Sequence, residues 1–267
     1  MRFFEGCTAL ITGASSGLGA EFARQLAPVA DTLVLVARRE GHLEELKRSL
    51  EGRHPGLKVV VQVMDLTHDT QIRGLVDGLR HEGVRVNFLV NNAGMGDRGP
   101  FATSDWSKVR AMLELNIVAL TRLTHFLLPM LREGGRGAIL NVSSIAGLFP
   151  LPDMAVYAAT KAYVNSFSDG LRMELRGTGI TVTSVLPGPA ETEFGRVASR
   201  GTGEPEWESP EVLYVTVEEV VRRALFAVAQ NRARVIPGWK VALLMGLAVA
   251  LPLGVLRVIL QRQRGPR

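Results

Sequence analysis

Near its N-terminus this 267-residue chain reads Thr8-Ala9-Leu10-Ile11-Thr12-Gly13-Ala14-Ser15-Ser16-Gly17-Leu18-Gly19, and this segment indicates how the chain folds. A short apolar run is followed at once by a glycine-rich turn, after which a helix is expected to begin near Ala20. Glycines suit such a turn because the backbone bends sharply and lets a pyrophosphate approach, while the helix N-terminus offers N–H donors. An ordinary strand–helix turn is the alternative. The stretch predicts a dinucleotide-binding loop whose contacts are Gly13, Ser15, Ser16, Gly17, Leu18 and Gly19.

Outward from this unit, short β-branched runs alternate with longer helical patterns. Strands are expected at 8–12, 32–36, 58–63, 87–91, 138–142, 181–186 and 234–236. Repeated strand–helix–strand order implies parallel pairing with right-handed crossovers. We therefore predict an α/β fold, a single doubly wound, Rossmann-like parallel sheet of about seven strands with helices on both faces. The sheet domain is expected to span 1–238, with a mobile substrate-side segment at 189–215, and an apolar, basic tail is expected at 239–267.

Charge is unevenly distributed along the chain. Its 31 basic and 26 acidic residues give a net charge of +5. The tail contains no acid, and the residues before it hold 26 basic and 26 acidic groups, so the main body is neutral. Together with the lack of a nucleic-acid motif, this pattern argues against DNA or RNA as a partner. The basic residues of the tail are Lys240, Arg257, Arg262, Arg264 and Arg267.

Cysteine and histidine usage argues against disulfides and metals. Cys7 is the single cysteine, and the five histidines are scattered one at a time, so neither a disulfide nor a metal-ligand spacing is expected. The first five residues carry no signal-peptide pattern. We expect a cytoplasmic protein in a reducing compartment.

The residues after the second strand bear on cofactor choice. An enzyme that uses NAD often carries a carboxylate there for the ribose hydroxyl, but this chain has Ala37, followed by Arg38 and Arg39. Guanidinium groups match the geometry of a phosphate. We predict NADP as the cofactor, with Arg38 on its 2′-phosphate. Solvated arginines at a strand end are the alternative.

A candidate acid–base pair lies in a predicted helix. Tyr157 and Lys161 are four residues apart and share one helix face. A neighbouring ammonium group favours the phenolate and brings a tyrosine closer to acid–base work near neutrality. Ser144 ends the fifth strand, at the sheet edge where ligands bind in such folds. The pair alone is weak evidence, because this spacing also occurs by chance on solvated helices.

Taken together, the motifs resemble the short-chain dehydrogenase/reductase family, from about residue 5 to residue 237. Besides the glycine-rich loop, the resemblance is carried in order by Asp65, Asn91-Asn92-Ala93-Gly94, Asn116, Ser144, Tyr157 with Lys161, and Pro187-Gly188 followed by Thr192. One departure is Ser16, which stands where NADPH-preferring members often carry a basic residue.

The resemblance implies roles in cofactor binding. Asp65 contacts the adenine, and Thr192 holds the nicotinamide carboxamide. Lys161 binds the nicotinamide ribose. The other cofactor-binding positions are Asn92, Ala93, Gly94, Tyr157, Pro187 and Gly188. A helix cap is the alternative role for Asp65.

The resemblance also implies a catalytic set. Tyr157 gives or takes the proton, Ser144 binds the carbonyl oxygen, and Lys161 lowers the pKa of the tyrosine. Asn116 holds a water in a proton relay to Lys161, although it is alternatively a satisfied polar residue within a helix. Hydride transfer with these residues interconverts a carbonyl and an alcohol without a metal.

Substrate and assembly are less constrained by the sequence. Apolar residues at 148–154 and Phe194 suggest a small or hydrophobic carbonyl substrate of the ketone or 3-oxoacyl type, although ordinary core is the alternative. We expect a homodimer or homotetramer. The uncharged run at 241–256 favours a peripheral membrane contact through 239–267, ahead of a subunit-contact helix, a flap over the substrate entrance, or a span.

Three alternative functions remain at this point. The first is an NAD-linked alcohol or hydroxysteroid-type dehydrogenase. The second is a non-catalytic NADP-binding sensor, which is disfavoured because both Tyr157 and Lys161 are present. The third is an isomerase or epimerase, for which the short segment after Gly188 leaves little room.

Overall fold

A computed structural model describes residues 2–189, 193–200 and 213–262. Seven strands form one sheet: β1 (Cys7–Thr12), β2 (Ala30–Ala37), β3 (Lys58–Val63), β4 (Phe88–Asn91), β5 (Gly137–Val142), β6 (Ile180–Val185) and β7 (Arg234–Val235). The helices in the described ranges are α1 (Gly17–Leu26), α2 (Glu40–Arg53), α3 (Asp69–His81), α4 (Trp106–Leu113), α5 (Leu120–Glu133), α6 (Ala155–Glu174), α7 (Glu193–Ala198), α8 (Val217–Ala229), α9 (Trp239–Ala250) and α10 (Leu253–Arg262).

The sheet is parallel throughout, with the strand order β3-β2-β1-β4-β5-β6-β7. The order reverses between β1 and β4, and in open sheets of this kind ligands bind beyond the carboxyl ends of the strands at that point. The predicted fold class is confirmed, and every predicted strand is present with bounds that differ by two residues at most. The division of the chain at residue 238 stays a prediction.

The core lies on both faces of the sheet because the side chains of a strand alternate between them. On β1, Ile11 packs into a cluster with α1, α2 and α8, whereas its neighbour Leu10 packs into a second cluster with α3 and α5. Strands covered on both sides are rich in apolar and β-branched residues, which makes them recognisable in the sequence as nearly continuous runs.

The start of α1 differs from the expected position, whereas the cap of α8 is as expected. Helix α1 begins at Gly17 rather than near Ala20, because Ser16 has extended backbone and occupies the N-cap position. Thr216 caps α8 as its spacing predicts, accepting a hydrogen bond from the N–H of Glu219 at 3.3 Å. Within the segment 189–215, α7 is ordered into a helix, and 190–192 and 201–212 lie outside the described residues.

By length and composition, the continuous helical stretch Trp106–Glu133 is apolar enough to cross a bilayer. Its apolar stripe, which includes Leu123 and Leu127, is buried against the sheet. A core helix passes the same test, so the stretch is weak evidence for a span.

Candidate active site

Ser144, Tyr157 and Lys161 come together beyond the carboxyl end of β5. Ser144 follows that strand and begins a short 3₁₀ turn, Ile145–Leu148, while Tyr157 and Lys161 lie on the first two turns of α6. The hydroxyl of Ser144 acts on that of Tyr157 and lowers the pKa of the phenol. Tyr157 is only 7% exposed and Lys161 only 5% exposed. The structure therefore brings the three predicted residues into one buried group.

Two hydrogen bonds from side chains to backbone oxygens hold the region around Ser144 against α6. The hydroxyl of Ser143 donates to the carbonyl oxygen of Lys161 at 3.0 Å. From the other side, the side-chain amide of Asn165 donates to the carbonyl oxygen of Gly147 at 3.1 Å. These two bonds tie the turn to the helix, so the position of Ser144 relative to Tyr157 is set by the packing of two elements.

Burial dominates the pKa of both titratable groups in this site. It raises the pKa of Tyr157 to about 12, because the phenolate is poorly solvated, and the hydrogen bond with Ser144 opposes only part of that rise. It lowers the pKa of Lys161 to about 8, because the ammonium group is buried too.

The predicted lowering of the Tyr157 pKa by Lys161 is therefore wrong for this structure. The ammonium nitrogen of Lys161 donates to the carbonyl oxygen of Val142 at 3.0 Å and lies 5.8 Å from the centroid of the Tyr157 ring. That geometry aims its charge at the backbone of β5, where it does not offset the burial of the phenol.

Asn116 lies in a π-helical turn, Glu114–Ala119, between α4 and α5. Its side-chain nitrogen donates to the carbonyl oxygen of Met95 at 2.9 Å and to the hydroxyl of Thr160 at 3.0 Å. Its side-chain oxygen accepts from the N–H of Met95 at 2.9 Å. The side chain thus joins the loop after β4 to α6, and π-helical turns of this kind are frequent at functional sites. The water relay assigned to Asn116 stays a prediction.

The glycine-rich loop has a shape that fits a dinucleotide phosphate. Gly13 and Gly17 have positive φ angles of 66° and 52°, which side chains rarely allow. A Cβ atom at Gly19 would lie 2.2 Å from the carbonyl oxygen of Gly13, so α1 passes directly over the turn. Ser16 makes no side-chain cap hydrogen bond to α1. Its side chain leaves the N–H donors of the first helical turn to an anion.

Arg39, rather than Arg38, reaches this loop. Its guanidinium donates to the hydroxyl of Ser15 at 3.2 Å and to that of Ser16 at 2.7 Å, and it pairs with Glu193 of α7 at 2.9 Å. The Arg38 side chain is 76% exposed. The sequence-based choice of Arg38 for a 2′-phosphate stays a prediction, and Arg39 is a second basic group, in contact with the glycine-rich loop.

The loop after β4 is held to the end of β1 by Thr12. The Thr12 hydroxyl accepts from the N–H groups of Asn92 and Ala93, both at 2.9 Å, and it donates to the carbonyl oxygen of Val90. The Asn92 side chain donates to the carbonyl oxygen of Thr12 at 2.9 Å. Gly94 then passes beside Lys161, because a Cβ atom there would lie 3.4 Å from the ammonium nitrogen.

The remaining cofactor positions are spread along the sheet edge. Asp65 follows β3, lies 3.9 Å from Arg38 and accepts two hydrogen bonds from Thr67. Burial alone would raise the Asp65 pKa, but the bonds from Thr67 and the charge of Arg38 lower it overall, so the group is ionised. The carbonyl oxygen of Pro187 accepts from the N–H of Ile145, and a Cβ atom at Gly188 would lie 2.7 Å from the carbonyl oxygen of Leu213.

Thr192 lies outside the described residues, so its assignment to the carboxamide stays a prediction. Phe194, two positions further on, packs on Tyr157 with 5.5 Å between ring centroids. Met112 and Ala146 are buried beside Tyr157, and the partly buried apolar residues around it are Met95, Leu151, Met154, Val156 and Phe194. The space in front of the tyrosine is therefore largely apolar.

An ion pair that the sequence does not reveal secures α7 above this space. Arg200 donates to Asp97 at 3.0 Å and to the carbonyl oxygen of Pro100, also at 3.0 Å, while Lys108 pairs with Asp97 at 3.1 Å. A Cβ atom at Gly96 would lie 2.7 Å from the ring of Phe194. Asp97 and Arg200 are 103 positions apart, so their pairing has no local signature.

Comparisons with known proteins bear on the family and the fold of the chain. Residues 7–202 match the model of a family described as short chain dehydrogenase. Sulfoacetaldehyde reductase 2 of Chromohalobacter salexigens is 42% identical over 194 residues, which cover 72% of this chain and 76% of that protein.

Two solved structures add to the comparison. One is a short-chain dehydrogenase from Sphingobium yanoikuyae in complex with NADPH, 35% identical, with a TM-score of 0.80 over 92% of this chain and 96% of that one. The other is a short chain dehydrogenase/reductase from Burkholderia phymatum in complex with NAD, 25% identical, with a TM-score of 0.80 over 93% and 94% of the two chains.

Proposed function

The chain belongs to the short-chain dehydrogenase family, and from that premise we propose that it is an NADPH-dependent reductase of a hydrophobic carbonyl that uses Tyr157 as its acid and base. Interconversion of a carbonyl and an alcohol is the chemistry of its relatives. The observation that carries the proposal is the buried group of Ser144, Tyr157 and Lys161 at the sheet edge.

In this mechanism the protein handles the proton, and a bound nicotinamide supplies or accepts the hydride. Tyr157 donates its phenolic proton to the substrate oxygen during reduction and takes a proton back during oxidation. Ser144, whose hydroxyl acts on that of Tyr157, stabilises the charge that develops on the same oxygen. The phenol is protonated at neutral pH, as proton donation in the reductive direction requires, because its pKa lies well above 7.

Residues for the cofactor follow from the shape of the loop. The turn from Gly13 to Gly19 and the start of α1 would hold the pyrophosphate, and Arg38 and Arg39 would flank a 2′-phosphate. An acid at position 37 would repel that phosphate, and the chain has Ala37. An NAD-linked dehydrogenase is the second candidate, since one similar structure holds NAD.

The apolar surroundings of Tyr157 support a hydrophobic substrate. Phe194 lies on the ring, and the methionines Met95, Met112 and Met154 offer adaptable apolar surface. A ketone or a 3-oxoacyl compound with an extended apolar group is the class we propose.

We further propose a homodimer or homotetramer in the cytoplasm, with peripheral membrane contact through residues 239–267. The apolar exposed surface of the tail and its basic residues support that contact.

The experiment for the proposed function is a kinetic screen. NADPH oxidation is followed with a series of ketones of increasing apolar length, and NADH is compared at the same concentrations. We expect kcat/KM to rise with apolar length and to be higher with NADPH. Equal values for the two cofactors would favour the NAD-linked candidate, and no turnover with any carbonyl would reject the function.

A further inference from the structure

Helices α9 and α10 carry an unusual amount of exposed apolar surface. Eight of the sixteen large hydrophobic side chains that are exposed among the described residues lie between 239 and 258. We call this surface the tail face and define it by Trp239, Leu243, Leu247, Val249, Val255 and Val258. Trp239 is 74% exposed and Leu247 is 61% exposed. Exposed apolar side chains concentrated in one short segment point to an interaction site.

One side of the tail is attached to the enzyme. Val241 and Met245, one helical turn apart on α9, are buried, as is Leu256 of α10. Because α9 is apolar on its protein side and on its outer side, its outer side needs a nonpolar neighbour other than its own domain.

The attachment point adjoins the active site. Helix α9 packs against the turn Ile145–Leu148, which directly follows Ser144. Just before α9, a Cβ atom at Gly238 would lie 2.8 Å from the side chain of Val215, in the segment that returns from the substrate side. The base of the tail therefore lies beside the turn that follows Ser144.

The positive charge of the tail indicates what kind of partner covers the tail face. Lys240 and Arg257 are exposed on the tail, Arg262, Arg264 and Arg267 follow in the sequence, and no acid occurs after Glu219. A second copy that docks on this face about a two-fold axis would bring two sets of these cations together. An anionic lipid surface instead complements them, and a tryptophan beside a lysine suits the headgroup boundary.

We propose that α9 and α10 lie in the plane of an anionic membrane surface and present the active-site entrance to it, so that the enzyme takes carbonyl substrates dissolved in the bilayer. Membrane docking stands on the tail alone. The choice of substrate rests on the proposed function.

Docking is tested by co-sedimentation of the full-length protein with vesicles of phosphatidylcholine containing phosphatidylglycerol. Leu243→Asp combined with Leu247→Asp removes apolar contact, and Lys240→Glu combined with Arg257→Glu removes charge. We expect each pair to lower the partition coefficient at least about tenfold. Phe226→Asp, on exposed surface of α8, and Arg53→Glu with Lys58→Glu, at the far edge of the sheet, are the matched controls and are expected to bind as the unmodified protein does.

Two results would overturn docking. One is equal sedimentation of the unmodified protein and both tail variants. The other is a fall in mass by light scattering in the Leu243/Leu247 variant without any lipid binding by the unmodified protein, which would assign the tail face to a second copy. Circular dichroism and NADPH binding of each variant show that it is folded.

Substrate delivery is tested with two ketones, one short and water-soluble and one long-chain and dissolved in the vesicles. The Leu243/Leu247 variant is expected to lose at least about tenfold in kcat/KM on the long-chain ketone and to keep its value on the short one. Equal losses on both, or none, would contradict delivery from the bilayer. If the unmodified protein reduces neither ketone, the proposed function fails, whereas the sedimentation result still decides docking.

Discussion

Gly147 lies against the backbone of Lys161 so closely that a Cβ atom at position 147 would stand 2.5 Å from the Lys161 carbonyl carbon. The turn that carries Ser144 and the helix that carries Tyr157 are therefore in backbone contact. Any side chain at 147 has to push the two elements apart, because the contacted atoms belong to a helix and cannot rotate away.

Gly147→Ala is expected to lower kcat/KM at least about tenfold, since a displacement of about 1 Å between reacting groups has effects of that order or larger. NADPH affinity should fall much less than kcat. The matched control is Gly78→Ala in α3, where a Cβ meets nothing within 4 Å and alanine favours the helix. Unchanged kinetics in Gly147→Ala would show that the contact does not position Ser144.

The burial of Lys161 predicts how stability depends on pH. Its pKa falls from 10.5 to about 8 in the folded protein, so between these values the unfolded chain binds more protons and stability rises with pH. Lys161→Met should lack this rise. From pH 7.5 to pH 9.5, we expect the free energy of unfolding of the unmodified protein to gain about 2 kcal/mol on the variant.

Urea unfolding at the two pH values measures that difference. Tyr157 contributes in the opposite direction only above about pH 10, because its folded pKa is raised to about 12, and so it does not interfere within the range. Parallel pH dependence in the two proteins would mean that the Lys161 ammonium is solvated.

Substitutions of the two arginines after β2 are expected to change the preference for NADPH over NADH to different extents. Arg39 contacts Ser15 and Ser16 of the loop, so Arg39→Ala should reduce the NADPH-to-NADH ratio of kcat/KM values at least about tenfold. Arg38→Ala should reduce it less, because that side chain is mostly exposed. The reverse order would return the 2′-phosphate to Arg38. Adding Ala37→Asp should lower the ratio further in either case.

Asp97 is a positioning residue for α7, acting through Arg200. Asp97→Asn weakens a buried ion pair. We expect KM for an apolar ketone to rise about tenfold while kcat changes less than about threefold, because Phe194 loses its fixed place beside Tyr157. Asp169→Asn, which breaks the exposed pair with Arg234, is the control and should leave both constants unchanged. A loss confined to kcat would contradict the positioning role.

The sheet and the catalytic helix were predictable because their signals are local. Buried parallel strands are continuous β-branched runs, and the spacing of Tyr157 and Lys161 places them on one helix face wherever the helix packs. The roles of Thr12 and Gly147 are not predictable from the sequence. A hydroxyl before a glycine-rich turn and a further glycine in a loop carry no local signal of the segments that they contact in the folded chain. The Asp97 and Arg200 pair depends on two distant segments that meet only in the folded chain.

The prediction from sequence and the structure disagree on the direction of the pKa shift of Tyr157. From the sequence, a lysine four positions from a tyrosine lowers the tyrosine pKa. In the structure, burial raises that pKa, and the ammonium nitrogen donates to Val142. Desolvation is a property of the whole fold, so residue spacing alone does not give its size.

Tyr157 is the proton donor on which the proposed reaction depends. Tyr157→Phe keeps the ring and its contact with Phe194 but removes the hydroxyl, and the decisive measurement is steady-state NADPH oxidation with an apolar ketone alongside NADPH binding by fluorescence. We predict that kcat falls about a thousandfold or more, with NADPH affinity changed less than about threefold. A kcat within about tenfold of the unmodified enzyme would contradict it.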